Sequence, residues 1–143
     1  MDFDYSILRH LPSPFYRVSV KAIIFDGNNR LLVGKTPKGT WEIPGGGFAH
    51  NENIQECLNR ELKDEFGIGL ATLGRVVCFY RGMNTRGYAS LKICLQAHLE
   101  SYSFKYGDLV DAQFITKKEL LDLPMEQDEI GIKDCVNLIW SES

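Results

Sequence analysis

The segment from Asn53 to Gly67 constrains this chain more than any other, because it can form one amphipathic helix and little else. Asn53 is a good N-cap, and Glu56 stands three residues later in a variant of the capping box. Gly67 supplies the left-handed residue on which helices end, so the helix is expected to run Ile54–Phe66. With Glu61 at zero on a helical wheel, Cys57, Ile54, Leu58, Leu62 and Phe66 fall at roughly −40°, 20°, 60°, 100° and 140°, the buried stripe. Glu65 lies at about 40°, inside that stripe with Glu61, and Asp64 lies near −60° at its edge. Glu56, Asn59 and Lys63 occupy the opposite, solvated face.

Burying carboxylates against a core is costly unless something positive meets them. No row of Lys or Arg lies on that face. Arg60, near −100° on the wheel, is expected to reach Asp64 but not all three acids. A hard divalent cation is the natural partner, since it takes oxygen ligands and keeps room for water and phosphate oxygens. The alternative is a helix at a shallow edge whose acids curl out to water.

Around this helix the chain reads as strands. Tyr16–Phe25 alternates and is β-branched, and Asp26-Gly27-Asn28-Asn29 is turn chemistry, so Arg30–Gly34 is expected to return as a hairpin. Trp41–Ile43 reads as a short strand stopped by Pro44, and Gly45-Gly46-Gly47 as backbone able to approach a ligand closely. Leu73–Tyr80 and Tyr88–Glu100 are expected to pair, and Asp111–Thr116 to add a short strand. Lys117–Leu123 and Glu126–Trp140 read as two helices separated by Pro124. The order is that of an α+β or mixed α/β domain. At 143 residues the chain is expected to be one domain, with residues 1–15 as an N-terminal extension.

The formal charge of −3 provides no field for coating a nucleic-acid polymer, but it does not exclude a small anionic substrate. Cys57, Cys78, Cys94 and Cys135 show no metal-ligand spacing and read as small buried hydrophobes of a reducing compartment. The N-terminus lacks the apolar run of a signal peptide, and no stretch approaches the roughly 18 apolar residues of a membrane span. A cytoplasmic protein without a membrane partner, monomeric or homodimeric, is expected.

The run Gly46-x5-Glu52-x7-Arg60-Glu61-Leu62-x-Asp64-Glu65-x-Gly67-Ile68 closely resembles the Nudix box of the Nudix hydrolase family. Gly46, Glu52, Arg60, Glu61, Glu65 and Gly67 match its fixed residues, Leu62 and Ile68 its apolar slots, and Trp41–Gly47 its usual approach. The resemblance implies an α/β/α sandwich around a mixed sheet. It also implies MutT-like, Mg²⁺- or Mn²⁺-dependent hydrolysis of the diphosphate linkage in a nucleoside diphosphate joined to another group, such as a nucleoside triphosphate or nucleotide sugar. By position it places Glu61, Asp64, Glu65 and the Gly45 carbonyl at the metal. Glu61 and Glu65 are then the catalytic acids, with Arg60 orienting the carboxylates and Glu52 fixing the loop.

Two departures stand out. Asp64 replaces the family's Glu and is one methylene shorter, and Asn51 stands where Gly often precedes the first Glu, a turn that Asn tolerates. Asp108 and Asp111 occupy a loop where some members carry an additional catalytic acid. Arg75, Arg81, Arg86, Lys35 and Lys38 are candidates for phosphates, and Phe15, Tyr80 and Tyr88 for a base; none is assigned. The alternative function is a catalytically silent nucleotide-binding or regulatory domain on the same fold.

Overall fold

The protein's structure, a computed structural model, describes residues 4–12 and 14–141. The rest of the expected N-terminal extension, residues 1–3 and 13, lies outside the described residues. A short 3₁₀ turn, Tyr5–His10, precedes β1 (Tyr16–Ile23), β2 (Leu31–Lys35), β3 (Trp41–Glu42) and β4 (Gly45–Gly47). Then follow α1 (Ile54–Phe66), β5 (Leu70–Met83), β6 (Ala89–Leu99), β7 (Asp111–Ile115) and α2 (Lys117–Asp122). A second 3₁₀ stretch (Ile130–Cys135) runs into the short α3 (Val136–Ile139).

The strands form two sheets, ordered β4-β1-β6-β5 and β3-β2-β7. The β1–β6 pair is parallel and the others are antiparallel, so the architecture is mixed. Strand β1 is central, and its alternating side chains feed two cores. Val20 and Ala22 pack with Cys57, Leu58, Leu62 and Phe66 of α1. Ile23 faces the other way, among Ile43, Tyr80, Cys94, Ile132 and Ile139. Helix α1 therefore covers one side of the sheets and the C-terminal segment the other, giving the expected α/β/α sandwich.

Local signals placed most elements but not always their partners. The Asp26 turn forms: its carboxylate accepts from the Asn28 and Arg30 amides at 2.9 Å each, and Asn29 adopts φ 61°. The expected β1–β2 hairpin does not extend from it. The two segments are joined by the Phe25–Leu31 bridge, the Asp26 amide to Arg30 carbonyl bond and the Leu32 amide to Ile24 carbonyl bond. Both edges of β1 are taken by β4 and β6, so β2 pairs with β3 and β7 instead.

The expected helix over Glu126–Trp140 is also corrected, to turns, a 3₁₀ stretch and one short α turn. A Cβ at Gly131 would come within 2.8 Å of the Tyr80 ring and 3.0 Å of the Arg81 carbonyl, so this segment lies directly on β5. Asp128 and Glu129 are drawn inward by buried lysines, and this tertiary pull overrides helix propensity. The glycine run is a strand and not a loop, because Gly45, Gly46 and Gly47 pair in register with Lys21, Val20 and Ser19. Asn51 keeps a negative φ, so its turn needs no left-handed residue.

Candidate active site

Helix α1 begins and ends where its capping residues dictate. The Glu56 amide donates to Asn53 Oδ1 at 2.8 Å, and the Asn53 amide donates to Glu56 Oε1 at 3.0 Å. Gly67, at φ 71°, closes the helix by donating its amide to the Lys63 carbonyl at 2.9 Å. These caps set the helix phase, and the phase brings two carboxylates to strand β4.

Glu65, only 4% exposed, accepts the Gly45 amide at 2.9 Å. Gly45 sits at φ 129°, where a Cβ would collide with the Val20 carbonyl, so only glycine fits this crossing of β1. A Cβ on Gly46 would fall within the Glu61 carboxylate, so the glycine leaves the space that this acid fills. Glu61 and Glu65 thus meet the same strand through adjacent glycines.

Arg60 braces the arrangement. Its Nε and Nη2 grip Glu52 at 3.0 and 2.6 Å, its Nη2 donates to the Gly47 carbonyl at 3.1 Å, and its Nη1 donates to Glu61 at 2.8 Å. The expected reach of Arg60 to Asp64 is replaced by this bond to Glu61, because Glu52 and Gly47 hold the guanidinium over the loop. Glu52 also accepts the Ala49 amide at 3.0 Å, and the Arg60 hydrogen bond holds its carboxyl down at about 2. The buried Cys57 thiol donates to the Gly47 carbonyl at 3.5 Å.

The sequence did not single out the next layer. Glu42 lies near Glu65, and burial raises both carboxyls above the ordinary range, Glu65 well above it. Lys21, 3% exposed, faces both acids and is ion-paired to Glu129 at 3.0 Å. Lys92 bridges Asp128 at 2.9 Å and Glu129 at 3.2 Å. A cavity of about 280 Å³ opens beside Glu42, lined also by Thr36, Lys38, Trp41, Asp128 and Glu129. Lys21 and Lys92 occupy ordinary alternating positions of strands buried on both faces, and nothing in their spacing marks them as paired with a distant acid.

Asp64 is exposed, and only its backbone carbonyl is engaged, by the Asp108 amide at 3.0 Å. Asp108 is itself exposed, and Asp111 accepts the neighbouring Ala112 amide at 2.8 Å. Tyr80 and Tyr88 are buried, and Phe15 is half-buried. Lys35 lies 5.7 Å over the Trp41 ring, Lys38 stands 3.9 Å from Glu126, and Arg86 lies 5.3 Å over Tyr5. Arg75 and Arg81 are exposed on β5.

Among the described residues no three His, Cys, Asp or Glu side chains form a ready-made cage for a metal. What is present is a partial set of hard oxygens, the Glu61 and Glu65 carboxylates of α1, both facing strand β4. That set fits a cation such as Mg²⁺, which keeps several waters and shares its coordination with substrate phosphates. The acids Glu42 and Glu65, buried near each other with their carboxyls raised by desolvation, agree with such a guest.

A family model described as the NUDIX domain matches residues 15–132. The chain is 38% identical over 55 residues to an RNA pyrophosphohydrolase of Saccharophagus degradans, a match covering 37% of this chain and 32% of that one. It is 37% identical over 51 residues to an 8-oxo-dGTP diphosphatase of Proteus vulgaris, covering 32% of this chain and 46% of the relative. The chain thus spans less than half the length of either curated relative. A MutT protein from Methanosarcina mazei Go1 superposes with a TM-score of 0.76 at 19% identity, covering 92% of this chain and 98% of that one. The NUDIX domain of Shewanella oneidensis NrtR, solved with ADP ribose, gives 0.65 at 15% identity, with 95% and 97% covered. At these identities the two structures bear on the fold.

Proposed function

The chain belongs to the NUDIX domain family, and on that premise we propose that it is a metal-dependent hydrolase. Its substrate is a small nucleoside diphosphate derivative, cleaved at the diphosphate linkage. The observation that carries this reading is the meeting of Glu61 and Glu65 on β4, against Gly46 and the Gly45 amide. A binding domain without turnover has little need of two carboxylates at that spacing, one of them buried.

When bound, Mg²⁺ or Mn²⁺ supplies charge neutralisation on the diphosphate and lowers the pKa of a coordinated water. Glu61, Glu65 and the Gly45 carbonyl would hold it, and Asp64, one methylene shorter than the family's Glu and exposed, would lie at the edge of that set. Arg60 fixes the Glu61 carboxylate and ties α1 to the loop through Glu52 and Gly47. Among the described residues no helix is long and apolar enough to cross a membrane, in keeping with a small soluble substrate.

The test is a panel of nucleoside triphosphates, nucleotide sugars, dinucleoside polyphosphates, ADP-ribose and 5′-triphosphorylated RNA oligomers, with products identified by mass spectrometry. Each is run with Mg²⁺, with Mn²⁺ and with chelator. Metal-dependent cleavage within a diphosphate is expected; binding without cleavage of any member would favour the silent domain.

A further inference from the structure

The C-terminal segment and the glycine strand are joined through one buried lysine. Lys21 stands directly opposite Gly45 in the β1–β4 ladder. Its Nζ donates to the Ile43 carbonyl at 3.1 Å, two residues before Gly45. This is the point where the chain leaves one sheet for the other, from β3 through Pro44 to β4. The Pro44 carbonyl is satisfied by the Ala22 amide at 2.8 Å, so Ile43 and Pro44 both hang from β1, one by a side chain and one by backbone.

The other side of the same ammonium is ion-paired to Glu129 at 3.0 Å. Glu129 continues to Lys92 at 3.2 Å, Lys92 to Asp128 at 2.9 Å, and Asp128 to the Ser90 hydroxyl at 2.9 Å. Two lysines and two acids alternate in this chain, so their charges cancel, and the Lys21, Lys92 and Glu129 side chains are 4%, 5% and 7% exposed. Burying such a network is no route to stability by itself, since well-packed apolar residues do as well or better. Its value lies in fixing geometry.

We propose that Lys21 is a positioning residue for the metal-binding strand. Its bonds to Glu129 and the Ile43 carbonyl pin the β3–β4 crossing, and so fix the Gly45 amide against Glu65. Lys21 touches neither substrate nor metal; it acts through Gly45. The inference rests on the metal-dependent reading above, and adds to it a residue outside the signature motif. Supporting groups of this kind commonly change metal affinity or activity by about 10–100-fold when removed.

The experiment compares wild type, Lys21→Met, Lys21→Met/Glu129→Gln and, as a core truncation remote from the acids, Leu120→Ala. Lys21→Met keeps the apolar stem and removes the clamp. The double variant leaves Lys92 paired with Asp128 and strands no charge within the ion-pair chain, so the metal-free melting temperature recovers towards wild type. Mn²⁺ alone is titrated by calorimetry, and kcat and KM are measured on the best substrate of the panel.

Both Lys21 variants should bind Mn²⁺ about tenfold or more weakly and lose kcat by a similar factor, with KM nearly unchanged. Leu120→Ala should melt earlier yet bind Mn²⁺ as wild type does. If the double variant is too unstable to assay, Glu129→Gln alone must weaken Mn²⁺ binding in the same direction. Wild-type Mn²⁺ affinity and kcat in a folded Lys21 variant, or in Glu129→Gln where it stands in, overturn the proposal while leaving the hydrolase reading intact. A wild-type protein that neither binds Mn²⁺ nor turns over any substrate overturns both.

Discussion

The Glu65 carboxylate receives the Gly45 amide at 2.9 Å, and this one bond locks the last turn of α1 to the edge strand β4. It joins a buried acid to a backbone conformation that only glycine adopts without strain, so neither residue can be changed without disturbing the other.

A pH dependence follows from the burial of that acid. Burial holds the Glu65 carboxyl well above its ordinary 4.5, and Glu42 shifts the same way. From about 4.5 upward the folded metal-free protein therefore binds more protons than the unfolded chain, and stability falls as pH rises through that window. Melting temperatures of metal-free wild type and Glu65→Gln, measured from pH 4.5 to 8, should converge at the acid end. The Gln variant should gain relative to wild type towards neutrality.

Glu52 titrates with the opposite sign. Its carboxyl is held at about 2 by Arg60, so its contribution is complete above 4.5 and disappears as pH falls from 4.5 towards 2. The pair lies near the surface, so Arg60→Met should cost about 1 kcal/mol or less in urea unfolding at pH 7. Hydrolysis should suffer more, because Glu61 and the Gly47 carbonyl lose their common donor.

Gly46→Ala tests the packing of Glu61 against the strand. The added methyl occupies the position of the Glu61 carboxylate, the mobile end of a side chain, so the fold should survive with a melting temperature close to wild type. Displacing that carboxylate should lower kcat by about tenfold or more, as expected for a disturbed metal ligand. Unchanged turnover would mean that Glu61 has no fixed place at β4.

Cys57→Ala separates packing from chemistry. Cys57 is fully buried on α1 and its thiol is pushed up to about 12 by burial, so it is no nucleophile. Truncation should cost about 1 kcal/mol of stability and leave kcat essentially unchanged.

How much of this was legible in the sequence depended on whether the determining contacts were local. The bounds of α1 follow from Asn53, Glu56 and Gly67, all within one helix, and the inward phase of Glu61 and Glu65 follows from its 3.6-residue period. The separation of β2 from β1 was not legible, because the turn at Asp26 is indifferent to which strands take the edges of β1. The burial of Lys21 and Lys92 depends on acids 108 and 36 positions away, at Glu129 and Asp128. The same pairing drew the last segment out of its expected helix. Cys78, Cys94 and Cys135, far apart in sequence, meet in one core because Cys78 and Cys94 are opposite each other on β5 and β6.

The central claim is that Glu61 and Glu65 jointly hold a divalent cation for diphosphate hydrolysis. It is tested most directly by melting curves with and without Mg²⁺ beside initial rates, for Glu61→Gln, Glu65→Gln and Asp64→Asn. Each Glu variant should lower kcat by about 10²-fold or more, keep or raise the metal-free melting temperature, and shrink the stabilisation that Mg²⁺ confers. Asp64→Asn should do less on both counts, since Asp64 is exposed. Near wild-type hydrolysis by either Glu variant, with its Mg²⁺ stabilisation intact, would contradict the assigned site.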